Sequence, residues 1–357
     1  MACIAKRRDR YVIDFYDNQG KRQRQTLKKG TSKKAAKEKM REIEDQLSKG
    51  SYLPEKKIPT FEEVAKDYLE YKKLNLRAST WATLEGHTRN HFDEINKLKV
   101  NRITTAKIEK WIAKRQKDSM NIATLRKVLL TFGQIISYSV RHRYISYNPI
   151  KDIERPRDQG RNGKKKINIL KSYEIKSFLD AVDNKKYKTL FMLAIMSGAR
   201  QGELLGLKWT DIDSINNQIH IQRTFNNQAW YDVKTETSNR RVDLGPTMMT
   251  ELKKWRLACP KCNLDLVFPN EAGQPINHNN LINRHYNPAL EKAGIGKLRF
   301  HDLRHTYASL MIEQGENIKY IQSQLGHSNP TVTLNVYAHL MKPVNQEAAI
   351  RLEKAIF

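Results

Sequence analysis

Cysteine is scarce: Cys3, Cys259 and Cys262 are the three in 357 residues. So few thiols make no disulfide framework and fit a reducing compartment. Cys259-Pro-Lys-Cys262 is a lone CxxC. With no second pair to complete four ligands, it reads as a helix-ending loop rather than a zinc site. Long apolar runs are missing too, and none approaches the ~20 residues of a membrane-spanning helix. The first residues are charged and lack the apolar stretch of a secretory signal. A cytoplasmic chain without membrane association is expected. Repeats and low-complexity segments are also absent. Acidic residues are the last shortage: 38 against 65 basic ones, for a net charge of +27. A solvated surface needs no such imbalance. It points to a polyanionic partner, and nucleic acid is the commonest.

The length and a 39% hydrophobic content suit two or three domains with ordinary cores. The expected fold class is multidomain and mainly α. A first unit, residues 1–55, combines a small β-sheet with one helix. Tyr11, Ile13 and Phe15 alternate as in a strand, Asp17 to Gly20 is turn chemistry, and Lys21 to Lys28 returns as a second strand. Thr31 or Ser32 caps a helix with Ala36, Met40, Ile43 and Leu47 on its buried stripe. The returning strand presents Arg22 and Arg24 on one face, a form that could lie in a DNA groove.

A second unit, 56–155, reads as a helical bundle opening on the capping box Thr60-Phe61-Glu62-Glu63. Its polar faces carry Lys110 and Lys114, which suit phosphate contacts. Residues 156–166 form a basic, Gly-containing linker. The third unit, 167–357, reads as mostly helical with a small antiparallel sheet. Its strands are expected over Gln218 to Arg223, Trp230 to Lys234 and Arg240 to Leu244. At its end Ala348, Leu352 and Ile356 recur every four residues, as in a short amphipathic helix on a tether. Such a helix can dock on its own domain or on a neighbour.

The third unit also holds the residues that carry chemistry. Arg200, His301, Arg304, His327 and Tyr337 are a kit for attacking a phosphodiester. Guanidinium groups meet the charge on the non-bridging oxygens with paired hydrogen bonds and do not deprotonate. His301 and Arg304, three apart, share one helix face. A tyrosine hydroxyl titrates near pH 10, so flanking arginines and a histidine would have to stabilise its phenolate or take its proton. Attack leaves a phosphotyrosine ester and a free hydroxyl, so resealing needs no ATP. Tyr307 and Tyr320 compete as nucleophiles but fall at core-like positions, and the spacing from His327 favours Tyr337.

Residues 197–207, SGARQGELLGL, resemble the first arginine motif of the tyrosine recombinase (phage integrase) family. Residues 301–309, HDLRHTYAS, resemble its second motif, and 325–340, LGHSNPTVTLNVYAHL, its closing motif. The resemblance covers the whole third unit. More weakly, the first two units resemble the arm-binding and core-binding domains of three-domain integrases. It implies that Tyr337 is the nucleophile, that Arg200 and Arg304 clamp the scissile phosphate, and that His301 assists proton transfer. His327 would hydrogen-bond the phosphate or leaving oxygen, and Glu203 would be the acidic support residue. Lys234, in a β-hairpin, would be the general acid for the 5′ oxygen; the alternative is an ordinary turn lysine, with Arg240 or Arg241 only contacting the DNA backbone.

The residues just before the nucleophile, Leu334-Asn335-Val336, depart from the family's commonest choice. The implied activity is site-specific recombination that integrates and excises a mobile element through 3′-phosphotyrosyl intermediates. No cofactor or metal is implied. The implied partners are double-stranded DNA with core and arm sites, three further copies in a tetramer, and accessory proteins for excision or DNA bending. That work would place the chain at the nucleoid. A resolvase, a type IB topoisomerase-like enzyme and a non-catalytic DNA-binding regulator are the competing readings.

Overall fold

Capping residues and apolar periodicity set most elements. The computed structural model describes residues 2–17, 20–50, 52, 54, 58–157, 168–226, 228–232, 238–327, 329, 331, 334, 337 and 346–357. The chain divides into two compact units, 1–162 and 163–357. Most of the basic linker lies outside the described residues.

In the first unit, strands β1 (Cys3–Arg7), β2 (Arg10–Tyr16) and β3 (Arg22–Thr26) form an antiparallel sheet in that order. β1 is an addition to the two strands legible in the sequence. Its residues are mostly exposed, so no alternation marks it, and it is held by pairing Cys3 to Arg7 with Asp14 to Arg10. Helix α1 (Lys33–Ser48) starts where the Ser32 side chain accepts from the Ala35 N–H. Ile43 then packs on Ile13 and Phe15 of the sheet.

Helices α2 (Phe61–Lys73), α3 (Ala78–His91), α4 (Asp93–Asn96), α5 (Thr105–Lys117) and α6 (Ile122–Arg141) follow. Thr60 and Glu63 close the expected capping box on α2. The rings of Phe61, Phe92, Trp111 and Phe132 meet at the centre of this bundle. Their core is distinct from the one beneath the sheet.

The second unit begins with α7 (Ser172–Asp180), α8 (Lys185–Ser197) and α9 (Gln201–Leu205). α8 buries Leu190, Phe191, Leu193, Ala194 and Ile195, so it is covered on most sides and forms the centre of the domain. Five short strands come next: β4 (Ile212–Asp213), β5 (Gln218–Ile221), β6 (Arg223–Asn226), β7 (Ala229–Asp232) and β8 (Arg240–Asp243). They make two sheets, β4-β5-β8 and the hairpin β6-β7. The segment expected as one strand over Gln218 to Arg223 is therefore shared between them.

The unit continues with α10 (Pro246–Ala258), α11 (His278–Leu281), a π-helical turn (Ile282–Tyr286), α12 (Asn287–Lys292), α13 (Phe300–Glu313) and α14 (Ile318–Leu325). A C-terminal helix covers Gln346–Ile356. Cys259 sits just after α10, and both it and Cys262 are free thiols. Among the described residues no helix is long and apolar enough to cross a membrane.

Candidate active site

The site is assembled where the end of α8 meets α13 and α14. Gly198 ends α8 in the left-handed conformation, with φ of 60°. A Cβ there would lie 2.6 Å from the Tyr307 ring and 2.9 Å from Leu325, so only glycine lets these three helices approach so closely. Two residues later Arg200 stands at the N-cap of α9, half out of the protein.

Three guanidinium groups then converge on one helix end. The last carbonyls of a helix lack intrahelical partners and carry the negative end of its dipole. Arg240 Nε donates to Gln324 O at 2.6 Å, Arg304 Nη2 to Leu325 O at 2.5 Å, and Arg200 Nη2 reaches Gly326 O at 3.4 Å. Three consecutive carbonyls of α14 are thus each met by a different arginine. Arg304 also donates to Gly198 O at 2.9 Å, which ties α13 to the α8 turn.

Glu203 is the shared counter-ion. It accepts from Arg200 N and Nη1, both at 2.8 Å, and from Arg240 Nη1 and Nη2 at 3.1 and 2.9 Å. Burial alone would raise its carboxyl, but Arg240 and then Arg200 outweigh that and hold it at about 2. Burial, together with Arg200 and Arg240, presses the Arg304 guanidinium below its usual value. It remains charged, as arginines in proteins do.

Arg240 requires a correction. It was expected to touch the DNA backbone, but its side chain is only 5% exposed and its donors are spent on Glu203, Gln324 and Ser238. β8 alternates inward and outward, so Arg240 and Val242 face the core while Arg241 and Asp243 face out. Arg241 is exposed and lies 3.5 Å from Asp213.

His327 follows the Gly326 cap of α14. Burial, then Arg304, Arg200 and Arg240, push its imidazole down to about 4. Burial, then His305, Arg304 and Arg200, take His301 to about 4 as well. Both rings are therefore neutral at neutral pH and can accept as well as donate.

Tyr337 is buried among Tyr307, Ala308, Ile321 and Leu325. Its hydroxyl lies 2.6 Å from Nδ1 of His305, which is on α13 one turn beyond His301. Burial raises the phenol to about 12 against the pull of Arg304. The arginines were expected to ease its ionisation, but in this structure desolvation outweighs them. Of the competing tyrosines, Tyr307 is packed in the same cluster and Tyr320 donates to Asp243 at 2.8 Å.

Arg200, Glu203, His301, Arg304, His327 and Tyr337 thus all come to the junction of α9, α13 and α14. Lys234 lies outside the described residues. The β6–β7 hairpin that leads to it packs on α9, where a Cβ on Gly202 would lie 2.9 Å from Phe225 O. His305 was missed. The available signal was its place, one helical turn after His301 and adjacent to Arg304.

In the first unit, Arg22 and Arg24 both reach Asp14, at 2.7 and 3.2 Å, yet stay largely exposed. Lys110 is exposed, while Lys114 pairs with Glu94 at 2.6 Å. A groove of about 810 Å³ between α2 and α6 is lined by Tyr68, Tyr71, Tyr138, Lys72, Arg126 and Arg141. It brings together cations and aromatic rings that sequence spacing did not gather.

Fold and site together define an enzyme class that works on phosphodiesters with arginines, histidines and a tyrosine. The phage integrase family model matches residues 168–343, and the family's N-terminal SAM-like domain matches 60–115. A tyrosine recombinase XerC-like protein of Caldanaerobacter subterraneus subsp. tengcongensis is 31% identical over 304 residues, covering 76% of this chain and 77% of that one. The ICEBs1 integrase of Bacillus subtilis is 25% identical over 284 residues, 73% of each chain. Among solved structures, the Tn1549 transposon integrase in complex with transposon right end DNA superposes with a TM-score of 0.69 at 18% identity, over 84% of this chain and 100% of that one. A lambda integrase tetramer bound to a Holliday junction gives 0.62 at 16%, over 92% and 96%. The chain belongs to the phage integrase family and is a tyrosine recombinase.

Proposed function

We propose that this recombinase integrates and excises a mobile element by cutting and rejoining duplex DNA through 3′-phosphotyrosyl intermediates. One observation carries the assignment of roles. Arg200 and Arg304 are fixed on adjacent carbonyls beside His327, and Arg304 shares α13 with the histidine that holds the Tyr337 hydroxyl. A phosphate entering there meets two guanidinium groups and two neutral imidazoles, with a phenol close by. Arg200 and Arg304 neutralise the non-bridging oxygens as the phosphorane forms. Phosphate binding adds negative charge next to His301 and His327, raising both and making them better donors. Lys234 protonates the departing 5′ oxygen, and Glu203 keeps Arg200 in its working orientation.

The basic faces of the first unit hold DNA: Arg22 and Arg24 on arm sites, Lys110, Lys114 and the cationic groove between α2 and α6 on core sites. Recombination brings four copies together on two duplexes. The C-terminal helix, whose Leu352 and Ile356 are exposed, docks on its own or a neighbouring domain. Such work belongs in the cytoplasm at the nucleoid, with accessory proteins setting direction. A nicked suicide duplex carrying the element's end should trap a covalent adduct with the wild-type chain. Tyr337→Phe should form none. Undiminished adduct in Tyr337→Phe would sink the assignment.

A further inference from the structure

The phenol of Tyr337 must lose a proton as it attacks, and burial makes that loss harder. Arginines offer only donors, so the groups that hold the phosphate cannot receive it. The ring in contact with the Tyr337 hydroxyl is that of His305, and His301 stands edge-on to it with ring centres 5.1 Å apart. Asp302 is buried and committed to Arg299, at 2.6 and 3.1 Å. His305 is different. Its Nδ1 is already 2.6 Å from the reacting oxygen, and its ring packs edge-on to the tyrosine ring at 5.6 Å. Burial keeps the imidazole neutral, so in the Nε2–H tautomer Nδ1 offers a lone pair to the phenol.

We propose that His305 is a catalytic residue of this site, the base that accepts the Tyr337 proton during cleavage and returns it during resealing. The inference rests on Tyr337 being the nucleophile. In cleavage the Oη–H bond breaks and an Nδ1–H bond forms as Oη bonds to phosphorus. The bond from phosphorus to the 5′ oxygen breaks, and that oxygen takes its proton from the general acid. The imidazolium is formed near the Asp302 carboxylate, which favours it. On resealing the incoming 5′ hydroxyl gives up its proton, and Nδ1–H restores the phenol.

Single-turnover adduct formation on the nicked suicide duplex tests this with three chains. His305→Gln keeps polarity and size but is no base, and His305→Phe keeps the ring without the nitrogen. Both should bind the duplex as wild type does and cleave roughly 100-fold more slowly. Placing difluorotyrosine, a more acidic phenol, at position 337 of His305→Gln should recover at least about tenfold, since proton removal is then easier. A bridging sulfur at the leaving oxygen should not recover it, because the defect is on the nucleophile's side. Cleavage at or above the wild-type rate in either variant would overturn the proposal. So would rescue by sulfur, or no response to difluorotyrosine, which would make His305 a packing residue only. Tyr337→Phe is run alongside. If it still cleaves, the nucleophile itself is wrong, an outcome distinct from a dispensable His305.

Discussion

Glu203 is the single residue on which most of the site depends, because two arginines and one backbone N–H all donate to it. Its carboxyl sits at about 2 in the fold against 4.5 when free. A depressed acid contributes stability above its unfolded value and loses it as pH falls through the folded one. Between pH 4.5 and about 2 the second unit should therefore lose about 3 kcal/mol from this residue. Glu203→Gln leaves buried guanidinium groups uncompensated and should cost roughly 3–5 kcal/mol at neutral pH. Its stability should also fall less over the acid window. Urea titrations at several pH values measure both effects, and an unchanged neutral midpoint would refute the counter-ion role. The pairing of His301 with Arg304 was legible because three residues make one helix face. Arg240 and Arg241 were not separable, since which one faces inward depends on the register of β8. The raised pKa of Tyr337 was illegible too, because desolvation is set by the neighbours it packs among.

At the level of elements, the contact between α9 and the β6–β7 hairpin fixes the hairpin against the helix that begins at Arg200. Gly202 faces Thr224 and the Phe225 carbonyl, and a Cβ on Gly206 would lie 3.2 Å from the Phe225 nitrogen. Backbone cannot yield as a side-chain tip can. Gly202→Ala should push the hairpin outward and cost about 1–3 kcal/mol by overpacking. Duplex affinity should hold within about threefold, while adduct formation falls by at least about tenfold, as expected when positioning alone is disturbed. Equal losses in binding and cleavage would argue instead for general unfolding. The helices themselves were legible through Ser32 and Thr60, whose side chains cap α1 and α2 as their positions suggest. β1 was not, because its mostly exposed residues carry no alternation, and neither was the division of strands after Ile221, because Ile221 pairs with Arg240 while Arg223 pairs with Asp232 in a separate hairpin.

For the whole molecule, the net charge of +27 makes phosphate contact the main source of affinity and salt its main control. The charge was plain in the sequence, whereas its distribution was not. Lys114 is partly neutralised by Glu94, and Arg240 is withdrawn into the core. Arg22 and Arg24 share the one carboxylate of Asp14, which leaves their face of β3 with a net positive charge on two ordered, exposed guanidinium groups. Held this way they have less freedom to lose when they meet phosphates, so they should contact arm DNA at little entropic cost. Replacing both with Gln should weaken binding to an arm-site duplex roughly 10- to 100-fold. The slope of log affinity against log salt should shrink by about one to two, according to how far Asp14 already neutralises the pair. Adduct formation on a duplex holding only the core site should stay at the wild-type level. Fluorescence anisotropy across a salt series separates the possibilities: an unchanged slope means these arginines do not touch DNA, and an equal loss on core and arm duplexes means the sheet does not discriminate between them.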